Sequence, residues 1–296
     1  MALVLSVLEQ GMIYAIMALG VYITYKILDF PDLTVDGSFP LGAAITAIMI
    51  SKGVNPLITL PVSFLAGVLV GICTGLIHVK LKVRDLLSGI IMMTALYTVN
   101  LRIAGRANLP IYTQKTIFDN DFVNGIFKGK AGEYSTVVII LLLTVIMKCL
   151  LDWYMSTKSG FLLRAVGDND TIVTSMGVDK GLIKIIGLAI ANGLVTLSGC
   201  IYTQQQRYFD VSMGTGTVVI GLASVIIGTS LFKKVTFWRV TTSVVIGSVL
   251  YKACVAIAIS LGLQSTDLKF ITATLFLLIL VVSRDRKKKV KNNAGA

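Results

Sequence analysis

The chain has 296 residues, of which 55% are hydrophobic and 14% charged, and its formal net charge is +12. Soluble domains carry about 25% charged residues, so this composition excludes an ordinary water-soluble domain and points to the bilayer as solvent. The positive charge is not that of a nucleic-acid binder. It gathers beside apolar runs, at Lys80, Lys82 and Arg84, at Lys233, Lys234 and Arg239, and in the tail from Arg284 to Lys291, as the cytoplasmic loops of membrane proteins do.

A helix needs roughly 20 apolar residues to cross ~30 Å of hydrocarbon. By that measure nine spans are expected, at 3–26, 38–52, 56–79, 86–105, 134–151, 182–204, 214–232, 237–262 and 268–283. The second is too short to cross alone and the seventh is barely long enough. The opening MALVLSVLEQ has neither a basic region nor a small-residue cleavage site, so no removable signal peptide is expected. With the basic tail inside, where it can also meet anionic lipid, the N-terminus and the 106–133 loop fall outside. The turns at Lys80–Arg84 and Lys233–Arg239 and the stretch 158–179 fall in the cytoplasm. Arg102, Arg106, Lys115, Lys128 and Lys130 run against the rule. Cys73, Cys149, Cys200 and Cys254 have no paired spacing, and His78 is the single histidine, so no disulfide framework or metal site is expected.

In chain order, the first unusual segment is Leu28 to Ala44, LDFPDLTVDGSFPLGAA. Pro31 and Pro40 interrupt helix hydrogen bonding. Asp32 and Asp36 are costly in a bilayer unless paired, hydrated or capping a helix. Two readings stand: Thr34 or Asp36 caps the short second span, or these residues line a solute pathway. Asn100, Asn192 and Lys252 are further polar residues inside spans. Lys252 is expected to pair with Asp32 or Asp36, or to attract a solute carboxylate, and Glu9 to reach toward the outer interface. The outer loop from Arg106 to Glu133 is polar and basic, a candidate dock for another protein.

The stretch 158–179 is a polar cassette between hydrophobic spans. Gly160 and Gly167 bracket a short amphipathic helix with Phe161, Leu162 and Val166 on one side and Arg164 exposed. Asp168 or Asn169 then caps a second stretch ending at Gly177. Beyond it, Gly199–Gly228 holds polar and aromatic residues including Tyr208 and Asp210. Small residues follow at Gly214, Gly216, Gly221 and Gly228, suited to close helix packing or a subunit interface. Pro31–Gly37 and Phe209–Thr215 echo one another, and the same shift carries later spans onto later spans. The expected architecture is therefore an all-α polytopic membrane protein of about nine segments in two inverted-topology repeats with interrupted helices. A permease domain spans 1–283, with halves at 1–105 and 182–283, a cytoplasmic loop at 152–181 and a basic tail at 284–296.

The order Gly160, Arg164, Ala165, Gly167, Asn169, Gly177, Val178 resembles the coupling loop of ABC-importer permeases of the branched-chain amino acid and ribose permease superfamily. The stretch from Tyr202 to Gly228 resembles the segment that follows that loop. FPDLTVDGSFPLGAA is similar to a subgroup paired with lipoprotein-type binding proteins and linked to aromatic amino acid uptake. The resemblance implies a permease homodimer in a bacterial cytoplasmic membrane, two cytoplasmic ATPase subunits on the loop residues just named, and an extracytoplasmic solute-binding lipoprotein. It implies no cofactor on this chain, Mg-ATP being held by the partner ATPase; the chain itself has no G-x-x-x-x-G-K-[ST] loop. The halves are then expected to rock around Asp32, Thr34 and Asp36 on one side and Tyr208, Asp210 and Lys252 on the other. Inverted repeats and broken helices equally suit an ion-coupled secondary transporter, which stands as the alternative.

Overall fold

The computed structural model describes residues 2–119, 132–175, 177–233 and 238–260, with 270, 272–274 and 276–278. The elements are α1 (Ala2–Val21), continued by a π-helical segment (Tyr22–Ile27), α2 (Val35–Ser51), α3 (Pro56–Val79), α4 (Asp85–Ala104), β1 (Asn108–Pro110), α5 (Gly132–Met155), α6 (Lys158–Asp168), α7 (Asp170–Ser175), α8 (Lys180–Gln206), β2 (Tyr208–Asp210), a 3-10 turn (Val211–Gly214), α9 (Thr217–Leu231) and α10 (Val240–Ser260). Seven of the described segments are helical, long and apolar enough to cross a membrane, and α2 is a shorter apolar helix. The chain is an all-α polytopic membrane protein. Of the nine spans expected, the last, 268–283, lies largely outside the described residues, as do Lys128, Lys130, Lys234 and the basic tail.

α1 and α8 form the centre. They pack on one another; α2 and α3 lie against α8, while α9 and α10 lie against α1. Both central helices are hydrophobic nearly all round, as buried helices are: Ile13, Ile16, Met17, Leu19, Val195 and Ile201 have no exposure. α4 and α5 are largely exposed and cover the flanks.

Contacts in this core come in corresponding pairs. The Ser198 hydroxyl donates to the Ile13 carbonyl at 2.7 Å, and a Cβ on Gly20 would lie 2.5 Å from the Ala191 carbonyl oxygen. A Cβ on Gly71 would lie 2.6 Å from the Ala189 Cα, and one on Gly11 would lie 2.9 Å from the Val249 Cα. The register that lays Asp32 on Asp210 also lays Ile13 on Ala191, Gly20 on Ser198, Gly11 on Ala189 and Gly71 on Val249. Loop geometry follows the same register. The π-helical end of α1 leads to Asp29 at φ +50° and α8 ends at Arg207 at φ +62°. Thereafter the Asp32 carboxylate accepts from the Thr34 amide at 2.9 Å and that of Asp210 accepts from the Ser212 amide at 2.8 Å.

The segment after α4 is tied to the end of α8. β1 and β2 pair antiparallel, with Leu109 opposite Phe209. Arg207 forms an ion pair with Asp119 at 2.9 Å and donates to the Tyr112 carbonyl at 3.1 Å. The Ile117 amide donates to Gln204 Oε1 at 3.0 Å.

Candidate translocation site and coupling helix

Asp32 is 5% exposed. One of its carboxylate oxygens takes the Thr34 amide, and the other accepts from Asn192 Nδ2 at 2.8 Å. Asn192 Oδ1 in turn accepts from the Ser38 hydroxyl at 2.6 Å. A buried carboxylate is tolerated when it is hydrogen-bonded in this way, and here the bonds tie the loop before α2 to the middle of α8. Thr34 reaches the Thr74 hydroxyl at 3.2 Å and caps nothing through its side chain.

Asp36 caps a helix, but not its own. Its oxygens accept from the Gly216 amide at 3.0 Å, the Thr217 hydroxyl at 2.9 Å and the Val218 amide at 2.8 Å. A carboxylate satisfying free amides at a helix start also sits favourably in the helix dipole. Asp36 therefore fastens the first turn of α2 to the first turn of α9. Both expected caps of the short second span give way to this long-range one. Pro40 lacks an amide to bond the Asp36 carbonyl, and that carbonyl instead faces Gly214, where any Cβ would overlap it. Gly216 has open space around it and φ +87°, so its role at the start of α9 is conformational. A Cβ on Gly221 would lie 2.7 Å from Val21, and one on Gly228 would overlap the Ser243 carbonyl. All these contacts lie within this chain.

Beside the Asp36 cap lies a cavity of about 210 Å³ lined by Asp36, Pro40, Met93, Thr94, Tyr97, Asn100 and Thr215, with Gly37 and Val211. Met93, Tyr97 and Asn100 stand at i, i+4 and i+7 on α4, one helix face, turned to α2. Of this lining the sequence singles out Asp36, as a candidate pathway residue, and Asn100, as a polar residue inside a span; their grouping with Met93 and Tyr97 comes from the packing of α4 on α2.

Lys252 lies elsewhere. Its ammonium is 3.8 Å from the centroid of the Tyr14 ring and 3.5 Å from Gln10 Oε1. The expected pairing with Asp32 or Asp36 is not formed, because Asn192 and the start of α9 already hold those carboxylates. A cation over an aromatic face is the substitute. Tyr14 stacks on Phe39 and meets Tyr202 edge-on. Glu9, half-buried, accepts from Gln205 Nε2 at 2.9 Å. Tyr208 and Asp210 sit in β2. Partial burial acts to raise the Asp210 carboxyl, yet hydrogen bonds from Ser212 and Asn108 hold it below the usual range. Among the described residues no group of three or more His, Cys, Asp or Glu side chains could hold a metal ion.

α6 starts at Thr157, whose side chain accepts from the Gly160 amide, and ends at the extended Asn169, whose amide bonds the Ala165 carbonyl. Its buried face is Gly160, Leu163 and Val166. Phe161, expected on the buried side, is 60% exposed, and the Arg164 guanidinium lies 5.9 Å from its ring centroid. At Gly160 a Cβ would lie 2.5 Å from the Tyr154 carbonyl, and at Gly167 it would overlap that of Ile27. Leu163 and Leu28 both reach Gly187 of α8. The helix is thus seated where the π-helical end of α1 meets α8, with Phe161 and Arg164 outward. Gly177 follows α7 at φ +75°.

These features define a polytopic helical membrane protein. The chain matches the family model described as the permease component of the branched-chain amino acid transport system over residues 3–282. It belongs to that family and is a transmembrane permease component of an ABC-type importer for a small solute. It is 44% identical over 291 residues to the tyrosine transport system permease protein of Clostridioides difficile (strain R20291), covering 98% of this chain and 95% of that one. It is 29% identical over 230 residues to a probable branched-chain amino acid transport permease protein, LivH, of Methanocaldococcus jannaschii, covering 72% and 70%. With the Escherichia coli K12 ribose import permease protein RbsC it shares 26% identity over 225 residues, covering 75% and 68%. No solved structure matches the chain.

Proposed function

We propose that this chain is the membrane subunit of an ATP-driven importer of an aromatic amino acid, tyrosine foremost, working as a homodimer. Two cytoplasmic ATPase subunits and an extracytoplasmic binding lipoprotein complete the machine, and the membrane is bacterial and cytoplasmic, with the N-terminus outside and the C-terminus inside. The observation that carries the reading is the seating of α6. Its apolar face locks onto α1 and α8, the two central helices, while Phe161 and Arg164 point away. A partner that grips this helix moves both halves of the molecule. Gly160, Ala165 and Gly167 permit the close seating, and Asn169 and Gly177 bound the connection to α8.

The paired contacts about α1 and α8 favour two inverted repeats, since helices running in opposite sense through a bilayer are related in this way. The halves rock around the junction held by Asp32, Thr34 and Asp36 on one side and Tyr208 and Asp210 on the other, with Lys252 nearer the α1–α10 contact. The likeness to the tyrosine permease across nearly all of both chains supports the cargo.

The test is reconstitution of the chain with its ATPase and binding protein in vesicles. Uptake of labelled L-tyrosine is expected only with ATP and all three components. Uptake by the chain alone, driven by a proton or sodium gradient, would replace this reading with that of a secondary transporter.

A further inference from the structure

The end of α5 and the start of α10 meet at a buried carboxylate, Asp152. It accepts from the Thr241 hydroxyl at 2.6 Å and pairs with Lys148, one turn earlier on α5, at 3.0 Å. Arg239, just before α10, stands beside the same carboxylate with its Nη1 3.7 Å away. That separation is too long for a hydrogen bond. The ion pair therefore aims the guanidinium without spending its N–H donors, and among the described residues this side chain has no other partner. Two cations share one carboxylate, so the cluster keeps a net positive charge.

The surroundings of Arg239 are those of a membrane interface. Its side chain is 63% exposed. Trp238 beside it is 43% exposed and packs against Phe232, the ring centroids 5.9 Å apart. Leu231 at the end of α9 and Val240 at the start of α10 are exposed apolar residues, and Lys233 is a further exposed cation. Both helices are long and apolar enough to span a bilayer, so these residues lie where the helices leave the hydrocarbon. Tryptophan favours this headgroup level. An anionic headgroup there offers phosphate oxygens to the guanidinium fork, which takes them in bidentate fashion, while its acyl chains follow the apolar rim. A zwitterionic headgroup brings the same phosphate with its charge cancelled by an ammonium, and gains less from the surplus positive charge.

We propose that the corner formed by Trp238 and Arg239 is a docking site for the headgroup of an anionic phospholipid, in the leaflet on the α6 side. Asp152 and Lys148 position the guanidinium, and the phosphate takes the donors they leave free. The site sits at the stem of α6, since only Ser156 and Thr157 separate α5 from that helix.

The full-length chain, reconstituted in phosphatidylcholine vesicles, provides the test. It has two tryptophans, Trp153 and Trp238. Trp153→Phe, at an exposed position on α5, leaves Trp238 as the sole indole, next to Arg239. Bromine on a lipid chain quenches indole fluorescence on contact. Quenching by dibrominated phosphatidylglycerol, relative to dibrominated phosphatidylcholine at the same mole fraction, therefore reads the occupancy of this corner. Phosphatidylglycerol is expected to be preferred by about fivefold, the scale of one basic residue meeting an anionic lipid surface. Arg239→Gln brings the two lipids to parity. Lys80→Gln, which removes an exposed cation at the end of α3, leaves the preference unchanged, as does millimolar inorganic phosphate. Equal quenching by the two lipids in the parent chain would give the patch to a protein partner and overturn the proposal. So would a preference that survives Arg239→Gln, one that falls equally in Lys80→Gln, or one that inorganic phosphate abolishes.

Discussion

At the residue scale the informative side chains are carboxylates that hold the molecule together. Asp36 accepts three hydrogen bonds from the start of α9, and removing a cap costs about 0.5–2 kcal/mol. Asp36→Ala is therefore expected to destabilise by about 2 kcal/mol, read as a lowered unfolding midpoint in detergent, whereas Asp36→Asn, which keeps an acceptor, loses less. An unchanged midpoint for Asp36→Ala would remove the cap from the account. Asp32 depends on Asn192, so Asn192→Leu strands a buried carboxylate oxygen and is expected to cost roughly 2 kcal/mol. The Asp210 carboxyl titrates below its ordinary value of 3.8. Depressed in the folded state, it adds stability that is complete above 3.8 and disappears as pH falls through the lower folded value. The midpoint difference between wild type and Asp210→Asn should accordingly close on acidification below that value; a difference that widened there would contradict the sign.

At the element scale α6 concentrates the functional expectation. Phe161→Ala and Arg164→Ala alter an exposed surface and leave the buried Leu163–Val166 face intact. They are expected to reduce ATP-driven uptake at least tenfold while the unfolding midpoint moves by less than the equivalent of about 0.5 kcal/mol. Gly167→Ala does the reverse, unseating the helix from the Ile27 carbonyl. Uptake and stability falling together in all three variants would make α6 a mere structural strap. This helix also marks how far the sequence could be read. Its existence and the exposure of Arg164 follow from local pattern, as do the long apolar helices, whereas its caps, Thr157 and Asn169, enclose the glycines expected to bracket it. The placement of Phe161 does not, because a short helix with apolar residues on several sides is oriented by what it meets, and here Gly160 and Gly167 let the Leu163 face sink in. The same holds for Asp36. Capping rules are local and assign it to α2, whereas the helix it caps begins far along the chain. Lys252 was legible as an intramembrane cation, but its aromatic partner on α1 could be found only through helix packing. Asn100 was visible as polar, and its bond to the Gly37 carbonyl only in three dimensions.

At the scale of the whole molecule the paired contacts across α1 and α8 set the expectation. Gly11→Ala and Gly71→Ala are each expected to lower the unfolding midpoint in detergent, since a Cβ would lie 2.9 Å from the Val249 Cα and 2.6 Å from the Ala189 Cα. A loss in one variant without the other would break the correspondence between the two contacts. The Asp36 cap has a mechanical meaning at this scale. Should the halves separate there, α9 would be left with bare amides at its first turn, in a region where no bulk water waits to replace the lost bonds. The starts of α2 and α9 are thus riveted together. If the halves rock as proposed, this rivet is expected to be the fulcrum, with any widening toward the ends of the helices.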